Sequence, residues 1–148
     1  MLGLSLTASY ALRILAYLAR HPERWVRGAD PIANATGVPR AYAVRVLHSL
    51  GRAGLVLTRV GRHGGYRLAG DPDETSALDV VTAVDGPGLF DRCLLGLGRC
   101  SSGKKCALHP RWSRERTRIE RCLGELTLGV LASHASLSTG NRGESDET

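Results

Sequence analysis

The stretch between residues 5 and 68 reads helix, short helix, glycine turn, helix, glycine-tipped hairpin, and that order leaves few folds open. Tyr10, Ala11, Ile14, Leu15 and Leu18 recur at helical spacing behind Ser5 or Thr7 as N-cap, and His21-Pro22 closes the run. Asp30-Pro31 signals a second start, with Asp30 able to cap free N–H groups and Pro31 preorganised for the first turn; residues 32–36 follow before Gly37. Val38-Pro39 then opens a third helix that repeats Ala43, Val46, Leu47 and Leu50, leaves Arg40, Tyr42, Arg45 and His48 on other faces, and stops at Gly51 and Gly54. Two short apolar runs, 55–59 and 66–68, flank Gly61-Arg62-His63-Gly64-Gly65, whose turn chemistry makes a hairpin.

Beyond Asp71-Pro72, Ser76 can cap a short helix that buries Leu78, Val81 and Val84, broken by Asp85-Gly86-Pro87-Gly88. A loop rich in glycine, cysteine and basic residues leads to Pro110. There a long helical pattern begins, with Trp112, Ile119, Cys122, Leu123, Leu126 and Val130 on one stripe to about residue 132. A stripe of that length calls for a partner surface. The expected architecture is mostly α with a small β-wing: a winged helix-turn-helix over 1–87, a cysteine loop over 88–109, a long helix over 110–135 and a disordered tail over 136–148.

Charge narrows the partners. The chain carries a formal +6, and its last residues are net acidic, so the body is more basic still. That excess favours a polyanion. No run of eighteen apolar residues exists and the N-terminus lacks a leading basic region, so a membrane is not expected and a cytoplasmic protein is. An α-helix fits the major groove of double-stranded DNA, and a slim hairpin tip can approach its backbone. On that reading Arg40, Tyr42 and Arg45 project from the recognition helix, Arg62 and His63 sit at the wing tip, and Arg59 and Arg67 lie on the wing strands. The alternative is that these are solvated charges on a small α/β domain.

Cys93, Cys100 and Cys106 crowd into fourteen residues, with His109 three beyond the last. In a cytosolic chain such crowding reads as metal ligation. Iron-sulphur clusters are held by thiolates, and imidazole can replace one of them. Gly96, Gly98 and Gly103 let the loop wrap such a group, while Arg99, Lys104 and Lys105 offset its negative charge. Zinc stays open, although the C-x-x-C pair usual in structural zinc sites is missing. His109 is either the fourth ligand or a helix-entry residue packed on Trp112. Cys122, on the apolar stripe, reads as a small buried hydrophobe.

With these residues in view, the chain from residue 4 to about 132 resembles the Rrf-type family of bacterial regulators, which has IscR-, NsrR- and RirA-like branches. The resemblance is carried by Ser9-Tyr10-Ala11-Leu12-Arg13, by Leu47-His48-Ser49-Leu50-Gly51-Arg52-Ala53-Gly54-Leu55-Val56, and by Gly61-Arg62-His63-Gly64-Gly65-Tyr66. Leu78-Asp79-Val80-Val81-Thr82-Ala83-Val84-Asp85-Gly86, the three cysteines and Thr127-Leu128-Gly129 complete it. It implies a homodimer with crossing long helices on a pseudo-palindromic operator. It also implies an iron-sulphur cluster, 2Fe-2S ahead of 4Fe-4S, whose gain, loss or redox change alters DNA binding by a repressor that senses redox, iron or nitric oxide status. In the IscR-like branch a histidine just after the third cysteine is the fourth ligand, and Cys106-Ala107-Leu108-His109 matches. The NsrR-like branch uses an N-terminal aspartate, where this chain has Ser9. Six residues separate the first two cysteines, against five in IscR. A zinc-binding or cluster-free regulator, an electron-transfer or cluster-carrier protein, and an enzyme with Cys100 or Cys106 as nucleophile and His109 as base are the competing readings; an enzyme is not expected.

Overall fold

Helix α1 (Leu6–Ala19) starts where Ser5 accepts a hydrogen bond from the Ala8 N–H, and it buries Ala8, Ala11, Ile14, Leu15 and Leu18 along one face. The structure is a computed structural model that describes residues 4–100 and 106–134. The expectations placed on Gly103, Lys104, Lys105 and the tail lie outside the described residues. Helix α2 (Asp30–Thr36) ends at Gly37 in the left-handed region, as the glycine turn requires. Asp30 is not its cap: Ala29 holds that position without a side-chain bond. The Asp30 carboxylate, inside the first turn, pairs instead with the Arg40 guanidinium. Helix α3 (Arg40–Arg52) buries Ala43, Val46, Leu47 and Leu50. It runs through Gly51, and only Gly54, at φ +76°, takes the left-handed turn that closes it.

Strands β1 (Val56–Arg59) and β2 (Gly65–Leu68) form the antiparallel wing, with Val56 opposite Leu68 and Arg59 opposite Gly65. Val26 pairs with Tyr66 on the outer edge of β2 through reciprocal backbone bonds of 2.8 and 2.9 Å. That bridging segment passes so close that a Cβ on Gly65 would stand 2.2 Å from the Val26 carbonyl oxygen. Glycine is obligatory there. Helix α4 (Ala77–Asp85) opens with a reciprocal capping box between Ser76 and Asp79. Its buried residues are Ala77, Val80 and Val81, whereas Leu78 and Val84, expected inside, are half-buried. Leu78 faces Gly124 of the C-terminal helix instead of the central core.

The long C-terminal helix expected from the apolar stripe is two helices, α5 (His109–Glu125) and α6 (Leu128–Ser133). Leu126 is extended between them and its carbonyl accepts from the Ala77 N–H at 2.7 Å. Thr127 bridges Ser76, caps α6 through the Val130 N–H, and lets the Leu128 N–H reach the Thr75 carbonyl at 2.9 Å. The break turns Leu128, fully buried, into the core formed by α1, α2, α3, the wing residues Val56 and Leu68, and Val80. Val130 is left exposed, and Cys122, expected buried, is also exposed. No residue of α5 is buried in the single chain. Among the described residues no helix is long and apolar enough to cross a membrane.

Candidate functional site

The cysteine loop is anchored at both ends by backbone pairing. After a 3-10 turn, Leu89–Asp91, the Cys93 N–H donates to the Gly98 carbonyl at 2.9 Å and the Cys100 N–H to the Asp91 carbonyl at 2.6 Å, with Arg92 and Arg99 bridged between them. Gly96 and Gly98, at φ +72° and +98°, supply the turn that a side chain would strain. The result is a small hairpin that brings the first two cysteines to its base. From the other side, the Trp112 indole N–H donates to the Arg92 carbonyl at 3.3 Å, which ties the hairpin to α5. Trp112, expected on the apolar stripe that calls for a partner surface, thus also ties down the loop.

Within this frame the four candidate ligands meet in two pairs. The Cys100 Sγ lies 3.1 Å from the His109 Nδ1. The Cys93 sulphur accepts from the backbone N–H groups of Leu97 and Leu95, and further from the Cys106 thiol and the Gly96 N–H; together these hold its pKa below the ordinary thiol value against the opposing effect of burial. The His109 N–H to the Cys106 carbonyl, 3.0 Å, joins the pairs. Cys93, Cys100, Cys106 and His109 are all half-buried. Among the described residues no three His, Cys, Asp or Glu side chains form a preformed metal-binding group. The donor chemistry nevertheless suits a thiolate-bound centre: backbone N–H groups aimed at a sulphur stabilise its anion, as cluster sulphurs require. A Cys100–His109 pair is also the minimum of a nucleophile and base, but among the described residues no third group orients the imidazole.

A basic face lies on α3 and the wing. Tyr42 and Arg45 are exposed on α3; the Tyr42 ring packs edge-on against Tyr10, centroids 5.9 Å apart, and the Arg45 guanidinium stands 6.0 Å over it. Arg40 is exposed but engaged with Asp30, a surface pair that contributes at most about 1 kcal/mol and can open to a stronger anion. Arg62 and His63 are exposed at the wing tip. Arg59 is exposed on β1 with its guanidinium 4.2 Å from the centroid of the Trp25 ring, and Arg67 stands 5.1 Å from the same centroid. Sequence reasoning passed over Trp25 and Asp91, because each acts across the fold and neither belongs to a periodic pattern.

Comparison with known proteins bears on the family and the fold. IscR of Vibrio vulnificus, a helix-turn-helix-type transcriptional regulator, is 32% identical over 84% of this chain and 73% of its own length. CymR of B. subtilis, described as its global cysteine regulator, superposes with a TM-score of 0.75 at 28% identity, over 90% of this chain and 98% of CymR. The IscR of T. potens shares the fold, with a TM-score of 0.70 at 22% identity over 96% of this chain and 94% of that one. Residues 4–134 match the Rrf2 family, described as an iron-dependent transcriptional regulator, and the chain accordingly belongs to that family of winged-helix transcriptional regulators.

Proposed function

We propose that this regulator is a cytoplasmic repressor that binds a pseudo-palindromic operator as a homodimer and whose affinity is set by an iron-sulphur cluster on Cys93, Cys100, Cys106 and His109. The observation that carries the reading is the Cys100 Sγ–His109 Nδ1 approach of 3.1 Å, with the Cys106 carbonyl accepting from the His109 N–H beside it. When bound, such a cluster supplies a redox-active iron centre that oxidants, nitric oxide or iron shortage can alter or remove. The chain's own residues supply the rest. His109 opens α5, so holding its ring fixes the start of that helix. Trp112 holds the loop hairpin to α5 at the Arg92 carbonyl. At the other end the loop follows α4, whose Asp85 carboxylate accepts from the Ser5 hydroxyl at the N-cap of α1. Because α1 packs on α2 and α3, the order of the loop bears on the recognition helix through rigid, packed elements.

Arg40, Tyr42 and Arg45 read or flank the major groove, and Arg59, Arg62 and His63 engage the backbone or minor groove beside it. A second reading, a regulator without a cluster, is favoured by the likeness to CymR and by the lack of a preformed metal-binding group among the described residues. Anaerobic purification separates the two. Visible absorption with matched iron and acid-labile sulphide is expected, and their ratio to protein distinguishes 2Fe-2S from 4Fe-4S. Cys106→Ala and His109→Ala should abolish or shift that spectrum and change operator affinity. A colourless or zinc-loaded protein from iron-replete anaerobic growth would overturn the cluster reading in favour of the second.

A further inference from the structure

Trp25 stands at the edge of the wing, next to Val26, which forms an isolated antiparallel bridge with Tyr66 of β2. Across that pairing Trp25 falls beside Arg67. The register of β1 on β2 sets Leu57 opposite Arg67, and Arg59, two residues along from Leu57, shares the same face. Two cations are thus diagonal neighbours on one face, and the indole meets both, at 4.2 Å from Arg59 and 5.1 Å from Arg67. The two are not equivalent. Arg67 is 29% exposed and ion-paired with Glu23 at 3.3 Å, so its charge is answered within the fold. Arg59 is exposed and forms no ion pair among the described residues.

Arg59 also lines a shallow groove of about 320 Å³ with Arg27, Arg62 and the backbone of Gly61, Gly64 and Gly65. Three arginines at one concave, glycine-walled surface offer a place for a phosphodiester. A guanidinium lying over an aromatic face keeps its N–H donors in its own plane, free for phosphate oxygens, and the stack has already removed much of the rotamer freedom that binding would otherwise cost. We propose that Trp25 is a positioning residue for DNA binding: it holds Arg59, next to Arg27 and Arg62, as the phosphate-gripping edge of the wing groove. This rests on the reading that the wing meets DNA.

The test is the affinity of full-length, anaerobically purified variants for a labelled mixed-sequence DNA duplex over a salt series, with a thermal melt of each. Arg59→Gln should weaken binding and lower the salt slope by about 0.9, the contribution of one phosphate contact. Trp25→Leu, which changes no charge, should weaken binding about three- to tenfold in the parent protein, with Phe and Tyr at position 25 intermediate in the order of their ring strength. In the Arg59→Gln background the same Trp25 substitutions should have almost no further effect. Equal losses in both backgrounds, or Trp25→Phe and Trp25→Tyr indistinguishable from the parent protein, would overturn the positioning role and leave the wing reading standing. An unchanged affinity and slope for Arg59→Gln would overturn the wing reading and this role with it.

Discussion

Cys93 is the residue whose chemistry the fold alters most visibly. N–H groups of Leu97 and Leu95 point at its sulphur, so the negative thiolate is favoured over the thiol and the pKa falls below the ordinary value. The sign follows directly: the reactive anion persists to lower pH than in a free cysteine, and is lost only as pH drops through the depressed value. In cluster-free protein carrying Cys122→Ser, which removes the exposed competitor, the rate of Cys93 alkylation followed by peptide mapping should rise at lower pH than that of a model peptide. Coincident profiles would show that the loop amides do not hold the sulphur in solution. At this scale the sequence was partly legible. Cys93, Cys100, Cys106 and His109 lie close along the chain, so a grouping could be proposed from spacing; the 3.1 Å approach concerns Cys100 and His109 alone. The approach of Arg59 to the Trp25 ring and the edge-on contact of Tyr42 with Tyr10 join residues far apart in sequence, and no local pattern encodes such a pairing.

Among the elements, the capped and glycine-closed ones were the legible ones. Ser5 caps α1, Ser76 and Asp79 box α4, and Gly37 closes α2, because each of these signals is chemistry between near neighbours in the chain. The C-terminal stripe was misread for the converse reason. Its periodicity runs unbroken through Leu126 and Thr127, and only tertiary bonds to Thr75 and Ala77 explain why the helix stops there. The residue that benefits is Leu128, with no exposed surface, docked against α1. Leu128→Ala should therefore cost about 2–5 kcal/mol in urea unfolding, the range for removing a fully buried leucine. A loss below about 1 kcal/mol would mean that α6 does not pack on α1 and that the break at Leu126 has some other cause. Thr127 is equally informative at this scale: it ends one helix by pairing with Ser76 and starts the next by capping it, so one residue sets the angle between the arm and the DNA-binding body.

For the molecule as a whole, α5 is the long helix that packs least into the core of the single chain, although Val60 on the wing and Leu95 and Leu97 in the cysteine loop are also exposed. That helix has no buried residue, exposes Ile119 and Cys122, and half-exposes Trp112 and Leu123. Arg118, Arg121 and Glu125 border Cys122 and Leu126, a mixture of signs that lets two antiparallel copies oppose unlike charges. Burial of such a stripe by a second copy follows the general rule that a long apolar helix face needs a covering surface. In the proposed homodimer the basic body then matters, because one recognition helix and one wing would grip only half of a two-fold site. Joining two such bodies makes the second contact effectively intramolecular, a gain of about 10²–10⁴ in apparent affinity with no new contact to DNA. Ile119→Asp places a charge in the centre of the stripe without touching the core, the cysteine loop or the wing. It should sediment as a monomer with the melting behaviour of a folded protein, and lose that avidity on operators selected from genomic DNA by the parent protein. Binding to short nonspecific duplexes should fall far less, because each body keeps its own phosphate contacts. A variant that still sediments as a dimer would move the interface off α5; a monomer with undiminished operator affinity would instead remove the two-half-site arrangement from the proposed function.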